Sequence, residues 1–197
     1  VHDEAFADFG RGWEFGSAGM EMLAPRRLPL YALPKGWTAG TNGVVEGEAI
    51  ALKLEKEADL EKHRGKLRGK ILFLDEARDY KPGEEPDFHR HDGTTLEDLQ
   101  VFTVPGDRDD SQRAERMKRY LERVEFGKKL NAFLADEGVL ATVELSSRDN
   151  GIIRTGGGGS RKAGEPVGVP EFAMIAEHYN QVARALADGE TVRLRLH

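Results

Sequence analysis

The 197-residue chain contains no cysteine, which removes disulfides, thiolate metal sites and cysteine nucleophiles together. Its longest uninterrupted apolar run, residues 172–176, is five residues, far below the ~18 needed to suggest a membrane-spanning helix. Positive charge is in the minority: 29 Lys and Arg stand against 35 Asp and Glu, leaving a net charge of -6 and a pI near 5.6. That balance argues against a general nucleic-acid or anionic-membrane binder, so neither is expected as a partner. Internal repeats are absent. None of Ser17, Ser111, Ser146, Ser147 and Ser160 sits in a Gly-x-Ser-x-Gly elbow, so no serine hydrolase is expected. The chain opens at Val1 without a basic-then-apolar leader, the pattern expected of a processed protein or of a piece of a larger one.

What the chain does have is glycine, 23 residues, about 12% against a usual ~7%. A turn-rich fold containing β-structure follows. The first 43 residues hold both tryptophans (Trp13, Trp37) together with Phe6, Phe9, Phe15, Pro25, Pro29 and Pro34. This composition reads as an extended arm with short strands near 19–23 and 28–33, since each Pro restricts its predecessor and removes a ladder donor. Beyond Val44, partial alternation of apolar and β-branched residues predicts a strand over 47–54. A short charged helix is expected over 58–63, and a buried central strand over 70–74. Thr94 and Glu97 have capping-box spacing, which predicts a helix over 95–102. Ala114, Met117, Leu121 and Val124, then Phe126, Leu130, Phe133 and Leu134, follow helical spacing, so a long helix is expected over 113–134 with Gly138 as its C-terminal cap. A strand over 139–145 leads to Asp149-Asn150-Gly151, a hairpin-turn signal that predicts a returning strand over 152–155. Gly156–Gly159 reads as a mobile loop. A strand over 169–175, a helix over 177–187 with Gly189 past its end, and a strand over 191–196 complete the chain.

Three groups invite a chemical reading and each has a plainer one. His89, His91 and Asp92 place two imidazoles at i and i+2 beside a carboxylate, a set of groups that zinc sites use, but the flanking Pro82, Gly83, Pro86 and Gly93 mark an exposed loop. Asp107, Asp109 and Asp110 lack the glycine and the terminal glutamate of a calcium loop, and Asp110 or Ser111 is better read as a helix N-cap. The Gly156–Ser160 stretch lacks the Gly-Lys-Ser/Thr of a phosphate loop. Residues 113–129 contain seven basic and three acidic side chains, so the rest of the chain carries -10. Such a helix either docks an acidic partner or pairs its charges at i,i+4 on a solvated face.

Taken in order, the blocks GKLRGKILFL (65–74), KKLNAFLADEGVLATVEL (128–145) and GVPEFAMIAEHYNQVARALADGETVRLRL (168–196) resemble the protease-associated domain. LPLYALPKGWTAGTNGVVEGEA (28–49), with FGRGWEF (9–15) and AEHYNQVARAL (176–186), is similar to bacterial zinc-dependent aminopeptidases of the transferrin-receptor and glutamate-carboxypeptidase-like group, in which this domain is inserted into the peptidase domain. The resemblance implies a mixed α/β fold, a β-barrel or sandwich-like sheet flanked by helices, with residues 1–43 as the arm leaving the peptidase and 44–197 as the protease-associated domain. The His-x-Asp and Glu-Glu metal motifs of such peptidases find no counterpart in a comparable context, and Asp149-Asn150 takes no metal role. Accordingly no catalytic or metal-binding residue is expected in this chain. Zinc is expected in a peptidase domain outside it, in a secreted or periplasmic parent protein.

The same resemblance implies that the domain covers the active-site cleft, with the peptidase domain and a peptide substrate as partners and with oligomer contacts a further use. Arg148, Asp149, Asn150 and Arg154, beside Gly157, Gly158, Gly159, Ser160 and Arg161, are then the loop residues expected to face the cleft. The alternative is a stand-alone protein- or peptide-binding module that uses the basic helix 113–129 through Arg116, Arg119 and Arg123.

Overall fold

A computed structural model of the chain describes residues 2–4, 7–79, 88, 90–101 and 110–197, the side chains of 110–112 excepted. The chain divides into two compact units, Val1–Arg78 with Phe126–His197, and Asp79–Glu125. The first carries strands β1 (Met20–Ala24), β2 (Leu28–Leu30), β3 (Ala32–Pro34), β4 (Val45–Ala51), β5 (Lys70–Phe73), β6 (Ala141–Leu145), β7 (Glu171–Met174) and β8 (Arg193–Leu196), with helices α1 (Glu57–His63) and α4 (Ala176–Ala187). Helix α2 (Gly93–Gln100) belongs to the second unit, and α3 (Asp110–Glu137) begins there and ends in the first.

The strands form one sheet in the order β2-β1-β8-β4-β5-β6-β7-β3. Its two edge strands, β2 and β3, are consecutive in the chain and separated by Tyr31 alone. An eight-stranded sheet whose edges are joined by one residue must curl until they meet, and the result is a nearly closed, barrel-like sheet. Strands β4 to β7 are mutually parallel, and β8 inserts antiparallel between β1 and β4. Three strands of the expected arm, β1 to β3, are therefore built into the sheet, while residues 7–19 ahead of them have no regular secondary structure. Gly19 and His197 exchange backbone hydrogen bonds of 3.0 and 3.1 Å, so the segments entering and leaving the sheet lie side by side.

Alternation along the strands sorts the core. Met20 and Met22, Ile71 and Phe73, Ala141 and Val143, Phe172 and Met174, and Leu194 and Leu196 all point into a single cluster that also takes Leu30, Ala32 and Ala49. Every strand thus feeds one interior, and α4 packs Tyr179 and Val182 into it. The Phe73 and Tyr179 rings meet with centroids 5.0 Å apart. Leu72, one residue out of phase with Phe73, faces the opposite side of the sheet, where it joins Leu60 of α1 and Phe133 and Leu134 of α3. β5 is therefore buried on both faces, which is why its sequence is a continuous apolar run rather than an alternation.

Several local signals act as their chemistry dictates. Gly138 and Gly189, with φ of 70° and 80°, take the left-handed conformation that closes α3 and α4. The capping-box expectation at Thr94 shifts by two residues: Asp92 is the N-cap of α2, its carboxylate accepting from the Thr95 backbone N–H at 2.9 Å and from the Thr95 hydroxyl. The N-cap expected at Asp110 or Ser111 rests on side chains outside the described set. The hairpin expected at Asn150-Gly151 does not form. Both residues have the positive φ of a tight turn, 59° and 68°, but 152–155 is not a strand. β6 already has β5 on one edge and β7 on the other, so no ladder edge is left for a returning strand.

Candidate functional site

β5 and β6 run parallel, so the segments leaving them emerge at the same end of the sheet, the end where open α/β sheets assemble their sites. There the chain from 75 to 78 is fastened to α4. Tyr179 Oη donates to the Asp75 carbonyl at 2.9 Å and accepts from the Asp75 N–H at 2.8 Å. Burial pushes the Tyr179 phenol well above its usual pKa, the Asp75 and Glu144 charges adding to it and the Asp75 backbone contact opposing, so it remains a neutral donor. Asn180 pairs both ends of its amide with the Arg78 backbone, at 2.9 and 2.6 Å. The Asp75 carboxylate accepts from Leu145 N at 2.7 Å, closing the link to β6.

Arg78 is the centre of this end and is a residue that the sequence alone does not single out. Its guanidinium donates to the Ser146 carbonyl at 3.0 Å, to the Arg148 carbonyl at 3.2 Å and to the Asp149 carboxylate at 2.5 Å. Asp149 is thereby committed to Arg78. Ser146 Oγ donates to the Ile152 carbonyl and accepts from Arg154 N, at 2.8 and 3.2 Å, and Glu177 accepts from Gly151 N at 3.0 Å. The loop backbone is fixed while its cationic tips are left over: Arg148 and Arg154 are exposed, and their guanidinia make no hydrogen bond or ion pair among the described residues. Two unpaired arginines on a rigid base can take a carboxylate in bidentate fashion.

The glycine-rich half of the β6–β7 connection, expected to be mobile, is pinned to the segment after β3. Gly36 donates to the Gly156 carbonyl at 2.9 Å, and Gly158 and Gly159 donate back to the Gly36 carbonyl at 3.0 and 3.3 Å. A Cβ on Gly159 would lie 1.7 Å from the Trp37 carbonyl oxygen, and one on Gly158 would lie 2.3 Å from the Glu171 carboxylate. These glycines permit close backbone approach. Trp37, itself at φ 60°, donates from its indole to the Arg11 carbonyl at 2.8 Å. Its ring centroid lies 6.5 Å from that of Phe9 and 6.5 Å from that of Trp13. The Arg161 guanidinium lies over both Phe9 and Trp37, at 5.2 and 5.6 Å. Ser160 hydrogen-bonds Glu165. Phe9 and Trp37 thus have partners in this loop, and Arg161 is held by their rings.

Beneath the loop, Lys35 reaches Glu144 at 2.7 Å and Glu171 at 3.3 Å. Burial presses on the Lys35 ammonium, but the hydrogen bond to Glu144 and the Glu171 charge outweigh it, and its pKa lies above the ordinary lysine value. Burial drives the Glu171 carboxyl upward, with Lys35 only partly opposing. One cation serves two carboxylates, and the more buried acid bears the cost. Beside this triad a cleft of ≈ 310 Å³ is walled by Trp13, Phe15, Thr38, Pro170, Phe172 and His197.

Among the described residues no three His, Asp or Glu side chains converge as metal ligands. His89 lies outside those residues, and Asp92 is occupied as the α2 cap. Of the basic helix, Arg119 pairs with Glu115 at 3.7 Å in i,i+4 fashion and Arg123 lies over the Tyr120 ring at 6.0 Å. Arg116 also has a partner.

No protein-family model and no curated protein matches this chain in sequence. Solved structures do match in fold. An aminopeptidase from Aneurinibacillus sp. strain AM-1 superposes with a TM-score of 0.53 at 13% identity, over 94% of this chain and 31% of that one. A peptidase M28 precursor from Shewanella amazonensis SB2B gives 0.51 at 17% identity, over 94% of this chain and 35% of that one. The chain spans about a third of each peptidase it resembles. At these identities the likeness is one of fold.

Proposed function

We propose that this chain is a noncatalytic protease-associated domain of a secreted or periplasmic zinc aminopeptidase, in which it covers one side of the active-site cleft. The observation that carries the reading is that an almost complete match to this chain recurs as about a third of two peptidase chains. The adjacency of Gly19 and His197 supports it, because a domain inserted into another must enter and leave at one place. The zinc and the groups that activate water belong, on this reading, to the parent's peptidase domain. This chain contributes contacts remote from the reacting bond, which orient substrate and exclude water.

Within that role Arg148 and Arg154 are the substrate-facing groups, positioned by Arg78, Asp149 and Ser146, and they take a carboxylate of the bound peptide. Gly157–Gly159, Ser160 and Arg161 form the wall against which the arm is seated. The test is steady-state kinetics of the parent enzyme carrying Arg148→Ala and Arg154→Ala. KM for free peptides rises several-fold, while hydrolysis of a small aminoacyl anilide without a carboxylate is unchanged. Peptide kinetics identical to wild type remove both arginines from the substrate surface. Isolated 1–197 hydrolysing either substrate with added zinc overturns the noncatalytic reading.

A further inference from the structure

The cleft beside the Lys35 triad, ≈ 310 Å³ in volume, takes no part in the arginine end of the sheet. Its size falls at the lower end of the range of small-molecule sites, ~300–1,000 Å³. Aromatic surface forms one wall: Trp13 and Phe15 are 41% and 48% exposed, with ring centroids 6.4 Å apart. Residues 13–18 lack regular secondary structure, yet this wall is fastened at both ends. The Trp13 ring lies 6.5 Å from that of Trp37, and Gly19 exchanges backbone hydrogen bonds with His197. A wall already in place costs little ordering when a ligand binds.

The charge at the cleft is unbalanced. Glu14 and Glu171 line it together with His197, and no lysine or arginine does. The Glu171 carboxylate has Lys35, at 3.3 Å, as its one polar partner among the described residues. Lys35 is closer to Glu144, at 2.7 Å, so the triad sets two negative charges against one positive. Gly158, whose Cβ would lie 2.3 Å from the Glu171 carboxylate, lets the loop close over that acid. Burial, opposed only in part by Lys35, raises the Glu171 pKa, and a second cation relieves that cost. The aromatic rings of the wall favour a cation as well. An anion finds no counter-charge there, and a neutral apolar molecule leaves the carboxylate short of a partner.

We propose that this cleft binds a small organic ammonium, a primary amine carried on an apolar body, with its charged head at Glu171 and its body against Trp13 and Phe15. The volume suits a body of amino-acid size. Glu171 supplies the counter-charge, and Glu144 holds Lys35 so that the lysine does not cancel it. Charge fixes the end of the ligand that enters, while the rings and Phe172 provide area for the rest. The inference stands apart from the peptidase reading, because it draws on neither the arginine pair nor a peptidase domain.

The experiment is a heteronuclear NMR titration of the full chain with benzylamine at neutral pH. Saturable shifts appear at the Trp13 indole and at the Thr38 and Phe172 backbone amides. Benzyl alcohol, of the same shape without the charge, binds about tenfold more weakly, and benzoate does not bind. Glu171→Gln weakens benzylamine binding about fivefold. Glu144→Gln, at a partly exposed position, also brings the triad to neutrality and weakens binding in the same direction, which keeps the test open should Glu171→Gln fail to fold. Phe15→Ala weakens it about threefold. Absence of saturable shifts at these signals overturns the proposal. So does benzyl alcohol binding as tightly as benzylamine, or benzylamine binding unchanged in both glutamine variants.

Discussion

Helix α3 is one continuous element with two fates. Over 113–125 its apolar residues stand in solvent. Over 126–137 Phe133 and Leu134 are buried against Leu72 of β5 and Leu60 of α1, with Phe126 and Leu130 packed against them. The spacing of apolar residues is the same on both sides of Gly127, so amphipathicity alone does not decide whether a face becomes core. What differs is the neighbour. β5 presents an apolar outer face because its crossover to β6 must be covered, and the last three turns of α3 provide that cover. The opening turns belong to an excursion within the same crossover and find no such surface among the described residues. A helical face identified from sequence is thus an offer of burial, and tertiary or quaternary structure accepts it or leaves it open.

The contrast can be broken most directly with matched leucines. Leu134→Ala removes a side chain that is 1% exposed and is expected to cost about 2–5 kcal/mol in denaturant unfolding. Leu121→Ala stays within about 0.5 kcal/mol. Equal losses would mean that the two halves of α3 are packed alike.

Glycines in the β6–β7 connection sharpen the same distinction. Gly159→Ala places a methyl group against the Trp37 carbonyl and should destabilise by about 1–3 kcal/mol, with a change in tryptophan fluorescence. Gly156→Ala, whose Cβ meets nothing within 4 Å, remains within about 0.5 kcal/mol of wild type.

The buried triad adds a pH test. The folded-state pKa of Glu171 lies above its ordinary 4.5, so the folded chain holds that proton where the unfolded chain has released it. Its contribution is full below pH 4.5 and is lost as pH rises through the folded value. Glu171→Gln should remove this decline, flattening unfolding free energy against pH above 4.5. A steeper decline in the variant would reverse the assignment. The smallest effect is expected at the junction itself. Gly127→Ala, with open space around the added Cβ, should stabilise by about 0.5–1 kcal/mol, raising the thermal midpoint without altering the fold.

Most of the secondary structure was legible because its signals are local. The Lys70–Phe73 strand is a short β-favouring run, and the closures of α3 and α4 are glycines at the φ that glycine tolerates. Legibility failed where the deciding partner is distant in the chain. Asn150-Gly151 makes its turn, yet pairing depends on a free edge of β6, which Phe73 and Phe172 and their strands have already taken. Arg78 carries no motif, and its importance comes from Ser146, Arg148 and Asp149 being brought to it by the parallel register. Arg148 and Arg154 could be picked out as loop arginines, but that their guanidinia remain unpaired among the described residues, on a fixed backbone, is a property of the folded end of the sheet.

From the amino acids alone came the exclusion of thiol chemistry, the positions of most strands and helices, and a resemblance to the protease-associated domain. Those follow from residue type and near-neighbour spacing. Tertiary structure alone decided that the arm's strands close the sheet, that the glycine loop is a seat for Trp37, and that half of α3 is core and half is surface. Each of these depends on which atoms meet across 20 or more residues of chain, and near-neighbour spacing carries no record of that.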